Sequence, residues 1–172
     1  FGRQLMIIKE LIAQGLKKLP YSDSQLLDIE ILLQHILACS RTFLRAHVEH
    51  VVTLEQAIAF EQVLERRVQG EPIAYIIGKK DFWTFTVQVS PAVLIPRPET
   101  EILVAQVLQQ IAVDNLPLPI NILDLGTGSG IIAIALALAN PTAKIFATDL
   151  STAALTIAKL NAVANGVTNI SF

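Results

Sequence analysis

Apolar positions recur at three- and four-residue steps through the first third of the chain: Leu5, Ile8, Ile12, Leu16 and Leu19, then Leu26, Ile29, Leu33, Ile36 and Leu37. That spacing lines one face of an α-helix and predicts two amphipathic helices. Pro20 ends the first, because it has no amide hydrogen to extend the ladder, and Ser22 with Gln25 has the spacing of a capping box for the second. A short helix is predicted around residues 41–47. A longer one, opened by a second capping box at Thr53 and Gln56, runs through Val63 and Leu64 to Gly70, with Pro72 just beyond its end. The pattern predicts three or four helices up to Gly70.

The texture then changes. β-Branched and aromatic residues dominate IAYIIG and DFWTFTVQV between residues 73 and 95, with Gly78-Lys79-Lys80 as the turn, so a β-hairpin bridging two domains is expected. In LIPRPETE, Pro96 and Pro98 fix the backbone on either side of Arg97, and Glu99 and Thr100 start a helix through Leu103, Val107 and Leu108. Strand and helix alternate after that: strands over 120–125, 144–149 and 169–172, helices over 130–139 and 153–165. Alternation of this kind is the signature of a parallel sheet with helical crossovers. The expected organisation is multi-domain: an all-α helical bundle over 1–72, a β-hairpin linker over 73–95, and an α/β domain over 96–172. There is no internal repeat and no low-complexity tract.

Composition narrows the class of protein. With 172 residues, 52% hydrophobic and 16% charged, and a mean hydropathy of +0.53, the chain can bury a core and is expected to be globular. Its longest apolar run near the glycines, residues 131–139, is half the ~18 residues of a membrane span, so no membrane association is expected. Lys9 and Glu10 lie inside a helical pattern, without the apolar block of a secretory signal. The lone Cys39 permits no internal disulfide and reads as an apolar filler in a reducing, cytoplasmic setting. A formal net charge of −2 offers no broad basic face, which argues against direct nucleic-acid binding.

The stretch ILDLGTGSGIIAIALA, residues 122–137, carries the chemistry. A predicted strand leads into Gly126, Gly128 and Gly130 and then into an apolar helix. In a parallel sheet that loop lies at the carboxyl ends of the strands, where ligands bind and helix amides point. Glycines permit the sharp turn and let ligand atoms approach the backbone. A dinucleotide fingerprint, G-x-G-x-x-G, would place the third glycine one residue later, and here Asp124 stands two residues before the first. A carboxylate repels a diphosphate but attracts the ammonium group of S-adenosylmethionine, so the loop of Gly126, Thr127, Gly128, Ser129 and Gly130 is expected to seat that cofactor. Asp149, at the end of the next strand and nineteen residues after Gly130, is expected to accept hydrogen bonds from the adenosine ribose hydroxyls.

Taken together, RRVQGEPIAYIIGKKDFW (66–83), LIPRPETE (94–101), ILDLGTGSG (122–130) and ATDLSTAAL (147–155) resemble the HemK/PrmC glutamine methyltransferases. That resemblance spans nearly the whole chain. It implies a helical domain that helps dock the protein substrate, a hairpin linker, and a Rossmann-like class I methyltransferase domain. The activity implied is S-adenosyl-L-methionine-dependent methylation of the side-chain amide nitrogen of glutamine in peptide chain release factors, which would be the protein partners. It also implies that the LIPRPETE segment walls the active site, making Arg97, Glu99 and Thr100 candidates for shaping it. The family carries an Asn-Pro-Pro-Tyr motif that grips the substrate amide. No such motif occurs in these 172 residues, and Asn140-Pro141 is followed by Thr142 and Ala143. The expectation is therefore a partial version of a longer enzyme, with an incomplete sheet and no catalytic residue of its own, which by itself binds cofactor poorly and turns over nothing.

Other readings stand beside this one. A glutamine methyltransferase acting on a ribosomal protein shares the later motifs, a nicotinamide oxidoreductase is disfavoured by the glycine spacing and Asp124, and the isolated chain could be a non-catalytic binding fragment. His35, His47 and His50 lack metal-ligand spacing. Phe82 and Trp83 read as packing aromatics, Arg66-Arg67 and Lys79-Lys80 as solvated charge. Arg97 is read equally as a partner for Glu99 or Glu101 and as a site residue.

Overall fold

A computed structural model describes residues 6–21, 23–113 and 119–172. Two compact units divide the chain, Phe1–Ile77 and Gly78–Phe172.

The first unit is helical, with α1 (Ile8–Lys18), α2 (Gln25–Leu37), α3 (Arg41–Ala46), α4 (Leu54–Val68) and α5 (Ile73–Ile77). Its start departs from the expected helix: Met6–Ile7 (β1) pairs antiparallel with Val51–Val52 (β2), and Leu5 lies outside the described residues. Of the predicted stripe positions Ile8, Leu19, Ile29, Leu33 and Leu64 are buried, joined by Leu11, Leu32 and Phe60, which the periodicity did not single out, whereas Leu16 and Leu26 are 41% and 43% exposed. Gly15 lets α1 and α2 approach closely, since a Cβ there would sit 2.8 Å from Cγ1 of Ile29. The capping box of α4 is present: the Thr53 hydroxyl accepts from the Gln56 amide at 3.2 Å, and Gln56 Oε1 accepts from the Thr53 amide at 2.9 Å. The other predicted box cannot be followed, because Ser22 lies outside the described residues. Gln25 instead donates to the carbonyls of Leu16 and Leu19, at 2.9 and 2.8 Å, closing the end of α1.

Sequence expectations for residues 66–88 need correction. Residues 73–77 were expected as a strand because Ile-Ala-Tyr-Ile-Ile is rich in β-formers, yet they form α5. Pro72 opens it with a carbonyl that accepts from Tyr75 and Ile76, Gly78 at φ +73 closes it, and Ile76 is buried in the helical core. The hairpin is therefore shorter, β3 (Lys79–Phe82) and β4 (Phe85–Gln88), and turns at Trp83, not at Gly78-Lys79-Lys80. Trp83 adopts φ +54 and is 42% exposed, so it is no packing aromatic, whereas Phe82 is buried edge-on to Phe85. Arg66 and Arg67 are also not merely solvated, since Arg66 pairs with Glu71 at 2.6 Å and Arg67 with Asp28 at 2.8 Å.

In the second unit the hairpin is followed by α6 (Glu99–Val113) and then by β5 (Asn121–Leu125), α7 (Ile131–Ala139), β6 (Lys144–Thr148), α8 (Thr152–Ala164) and β7 (Ile170–Ser171). The strands form a parallel sheet in the order β5-β6-β7, with Asn121 opposite Lys144, Leu125 opposite Thr148 and Ile145 opposite Ile170. Period-two alternation turns Asp124, Ile145 and Ala147 inward and leaves Leu123, Leu125 and Phe146 outward, exposed on a bare face. Ile134 and Leu136 of the nearly all-apolar α7 are fully buried.

Candidate functional site

The carboxyl ends of β5 and β6 lie side by side, which brings the two predicted aspartates to one loop. Backbone geometry explains the alternating glycines: Gly126, Gly128 and Gly130 all take left-handed φ values, +74, +55 and +85. L-residues disfavour that region. Their surroundings differ. A Cβ on Gly126 or Gly128 would meet no atom within 4 Å, whereas one on Gly130 would lie 3.1 Å from Cβ of Ala158. The first two leave open space above the backbone, and the third lets α7 pack against α8.

Hydrogen bonds fix this turn at every step. The Gly126 and Thr127 amides both donate to the Thr148 carbonyl, at 2.8 and 2.9 Å, so the loop hangs from the end of β6. Thr127 Oγ1 donates to Oδ2 of Asp124 at 2.7 Å, and both residues are buried. The Gly130 amide donates to the Thr127 carbonyl at 2.8 Å, and the Gly130 carbonyl accepts from Ile134 as α7 begins.

Asp149 spans the gap between loop and helix: Oδ2 accepts from the Gly128 amide at 2.9 Å and Oδ1 from the Ser151 amide at 2.9 Å. The Ser151 and Gly128 amides, in that order of weight, hold its carboxyl below the ordinary aspartate value. It is thus anionic at neutral pH. A carboxylate offers about four acceptor positions, so two occupied ones leave capacity for further donors. Asp124 is 8% exposed and commits one oxygen, Oδ2, to Thr127.

The LIPRPETE residues occupy the start of α6. The Thr100 amide donates to the Arg97 carbonyl at 3.1 Å and the Glu101 amide to the Pro98 carbonyl at 3.0 Å. Among the described residues no ion pair joins Arg97 to Glu99 or Glu101, and Glu101 Oε1 accepts from the Trp83 amide at 2.9 Å instead. Among the described residues no hydrogen bond joins Arg97, Glu99 or Thr100 to the glycine loop.

One residue escaped the sequence reading. Asn161, in the middle of α8, is completely buried, and its Nδ2 donates to the carbonyls of Ser129 (2.9 Å) and Gln88 (3.0 Å) while its Oδ1 accepts from the Gln88 amide (2.7 Å). The available signal was a carboxamide inside TAALTIAKLNAVA at an inward helical position, where an apolar residue was due.

Residues 10–78 match a family model described as the PrmC N-terminal domain, and residues 99–172 one described as ribosomal protein L11 methyltransferase (PrmA). The release factor glutamine methyltransferase of Aliivibrio fischeri is 42% identical over 152 residues, covering 88% of this chain and 52% of that protein. The proteins of that name from Yersinia pestis and Escherichia coli are 43% identical over 152 residues and 42% identical over 159, covering 88% and 92% of this chain and 54% and 56% of theirs. The chain spans about half the length of the curated relatives it matches.

Proposed function

The chain belongs to the HemK/PrmC family of glutamine methyltransferases, and from that premise we propose that its glycine loop seats S-adenosyl-L-methionine. The whole protein would methylate the side-chain amide nitrogen of a glutamine in peptide chain release factors, in the cytoplasm. Supporting this most directly is Asp149, an anionic carboxylate at the mouth of the loop whose two oxygens are fixed by backbone amides and retain acceptor capacity for the two ribose hydroxyls. Open space at Gly126 and Gly128 gives the loop room for a ligand against bare backbone.

When bound, the cofactor supplies an electrophilic methyl group on a sulfonium. This chain's own residues supply placement. Asp149 would hold the ribose, Asp124 would attract the ammonium group directly or through water, its bond to Thr127 would keep the loop in shape, and residues 126–130 would set the position of the adenosyl moiety. Arg97, Glu99 and Thr100 belong to the proposal as residues lining the acceptor side. A carboxamide nitrogen is a weak nucleophile because its lone pair is delocalised, so alignment of the reactants carries much of the rate, on the order of 7–11 kcal/mol where it is complete.

Calorimetric titration tests the seat. In the whole protein S-adenosylhomocysteine is expected to bind and NAD not to, and Asp149→Ala is expected to weaken binding by about 1.5–3 kcal/mol for each charged hydrogen bond lost. Unchanged affinity would reject the ribose role. Incubating the whole protein with a labelled methyl donor and either a release factor or a ribosomal protein, then mapping the label by mass spectrometry, tests the acceptor. Label on a release-factor glutamine supports the assignment, and label on the ribosomal protein alone overturns it. The match of residues 10–78 to the PrmC N-terminal domain favours the first outcome, because the match of 99–172 concerns only the methyltransferase half.

A further inference from the structure

We propose that Asn161 is a positioning residue that yokes the hairpin to the cofactor loop, an inference resting on the reading of residues 126–130 as the cofactor seat. A helix places residues i and i+4 about 6 Å apart along its axis, and a strand places i and i+2 about 6.6 Å apart. This near match lets a helix dock on a strand edge through two carboxamides. α8 does so: Asn161 engages both the amide and the carbonyl of Gln88, and Asn165 donates to the Thr86 carbonyl at 3.1 Å. Thr86 and Gln88 face away from β3 along the free edge of β4, so the asparagine pair stands where a neighbouring strand would.

Asn161 does one thing more. Its second amide hydrogen goes to the Ser129 carbonyl, and the Gly130 amide on the other side of that same peptide unit goes to Thr127. The Ser129–Gly130 peptide is therefore pinned at both ends, and one pin is shared with β4. Because β4 runs on toward Arg97, Glu99 and Thr100, displacement of that acceptor-side segment would be transmitted to the seat of the methyl donor. A purely stabilising asparagine would need no bond to the loop.

Hydrogen exchange on the chain, followed by NMR, separates these roles. Asn161→Leu, close in volume but without polar atoms, is expected to raise exchange at the Gln88, Gly128 and Gly130 amides by about tenfold or more, while Ile134 and Ala147 in the packed interior stay within about threefold. Asn161→Asp keeps an acceptor for Gln88 and loses both donors, so Gly130 is expected to loosen while Gln88 stays protected. Loop amides that do not change in either variant overturn the proposal, and so does a uniform rise through α7, β5 and β6 in both. S-adenosylhomocysteine titration of the whole protein and its Asn161→Asp variant is the companion measurement, with about tenfold weaker binding expected for the variant. Failure of the whole parent protein to bind sinks the cofactor reading, while the exchange pattern still decides whether hairpin and loop are coupled.

Discussion

At the scale of single residues, the three glycines of the loop are not equivalent, and substitution distinguishes them. Gly128→Ala meets only the backbone penalty of φ +55, about 1–2 kcal/mol. Gly130→Ala adds overpacking against Ala158 and Ile134, about 1–3 kcal/mol more, so urea unfolding is expected to show a clearly larger loss for the second variant. Asp149 predicts a pH dependence. Its carboxyl lies lower in the folded chain than its ordinary value of 3.8, so its bond to the loop contributes fully above that pH and is lost only as pH falls through the lower folded value. The Gly128 amide resonance should therefore hold its position from neutral pH down to about 3.8 and move only in stronger acid. A shift beginning above pH 5 would mean that the carboxylate does not hold Gly128. The positive φ of the three glycines and the placement of Asp124 and Asp149 at the ends of β5 and β6 were legible because both follow from chain-local patterns. Asn161 was hidden because its partners, Ser129 and Gln88, lie 32 and 73 residues away.

Elements are held together by charge as well as by apolar faces. Glu30 of α2 is nearly buried, and burial pushes its carboxyl up, but hydrogen bonds from Arg45 and Arg41 of α3 outweigh that and leave it below the ordinary range. Removing both arginines strands a desolvated carboxylate. These guanidinium groups are 47% and 58% exposed, so Arg41→Ala with Arg45→Ala is expected to lower stability, though by less than the loss of a fully buried pair. Glu30→Leu should cost less than the double variant, because it leaves no buried charge behind; equal losses in chemical denaturation would reject this account. Helices were legible wherever a periodic apolar stripe coincided with a cap, as at Thr53 and Gln56 for α4. Residues 73–77 were misread because β-branching describes what a side chain prefers locally, whereas α5 is decided by Pro72, Gly78 and the burial of Ile76.

Across the whole molecule the division at Ile77 and Gly78 predicts that residues 6–77 form a cooperative unit. Expressed alone they should melt in one transition with helical circular dichroism, since Ile8, Leu11, Ile29, Phe60 and Leu64 supply a core without help from later residues. The second unit is different. Parallel sheets are ordinarily covered on both faces, yet Leu123, Leu125 and Phe146 are 58%, 74% and 45% exposed. Leu125→Lys with Phe146→Lys is expected to shift the melting temperature of this chain by no more than about 2–4 °C in a thermal scan, because neither side chain is buried in it. The glycine turn also has a consequence for the order of events at the ribosome. Bonds converge on it from Thr148, Asp149 and Asn161, so a nascent chain that has already displayed every glycine of the turn still cannot lock it. Only after the second crossover helix clears the exit tunnel can the pocket acquire its final shape, and a pause in elongation before that point would leave the turn loose however complete it was.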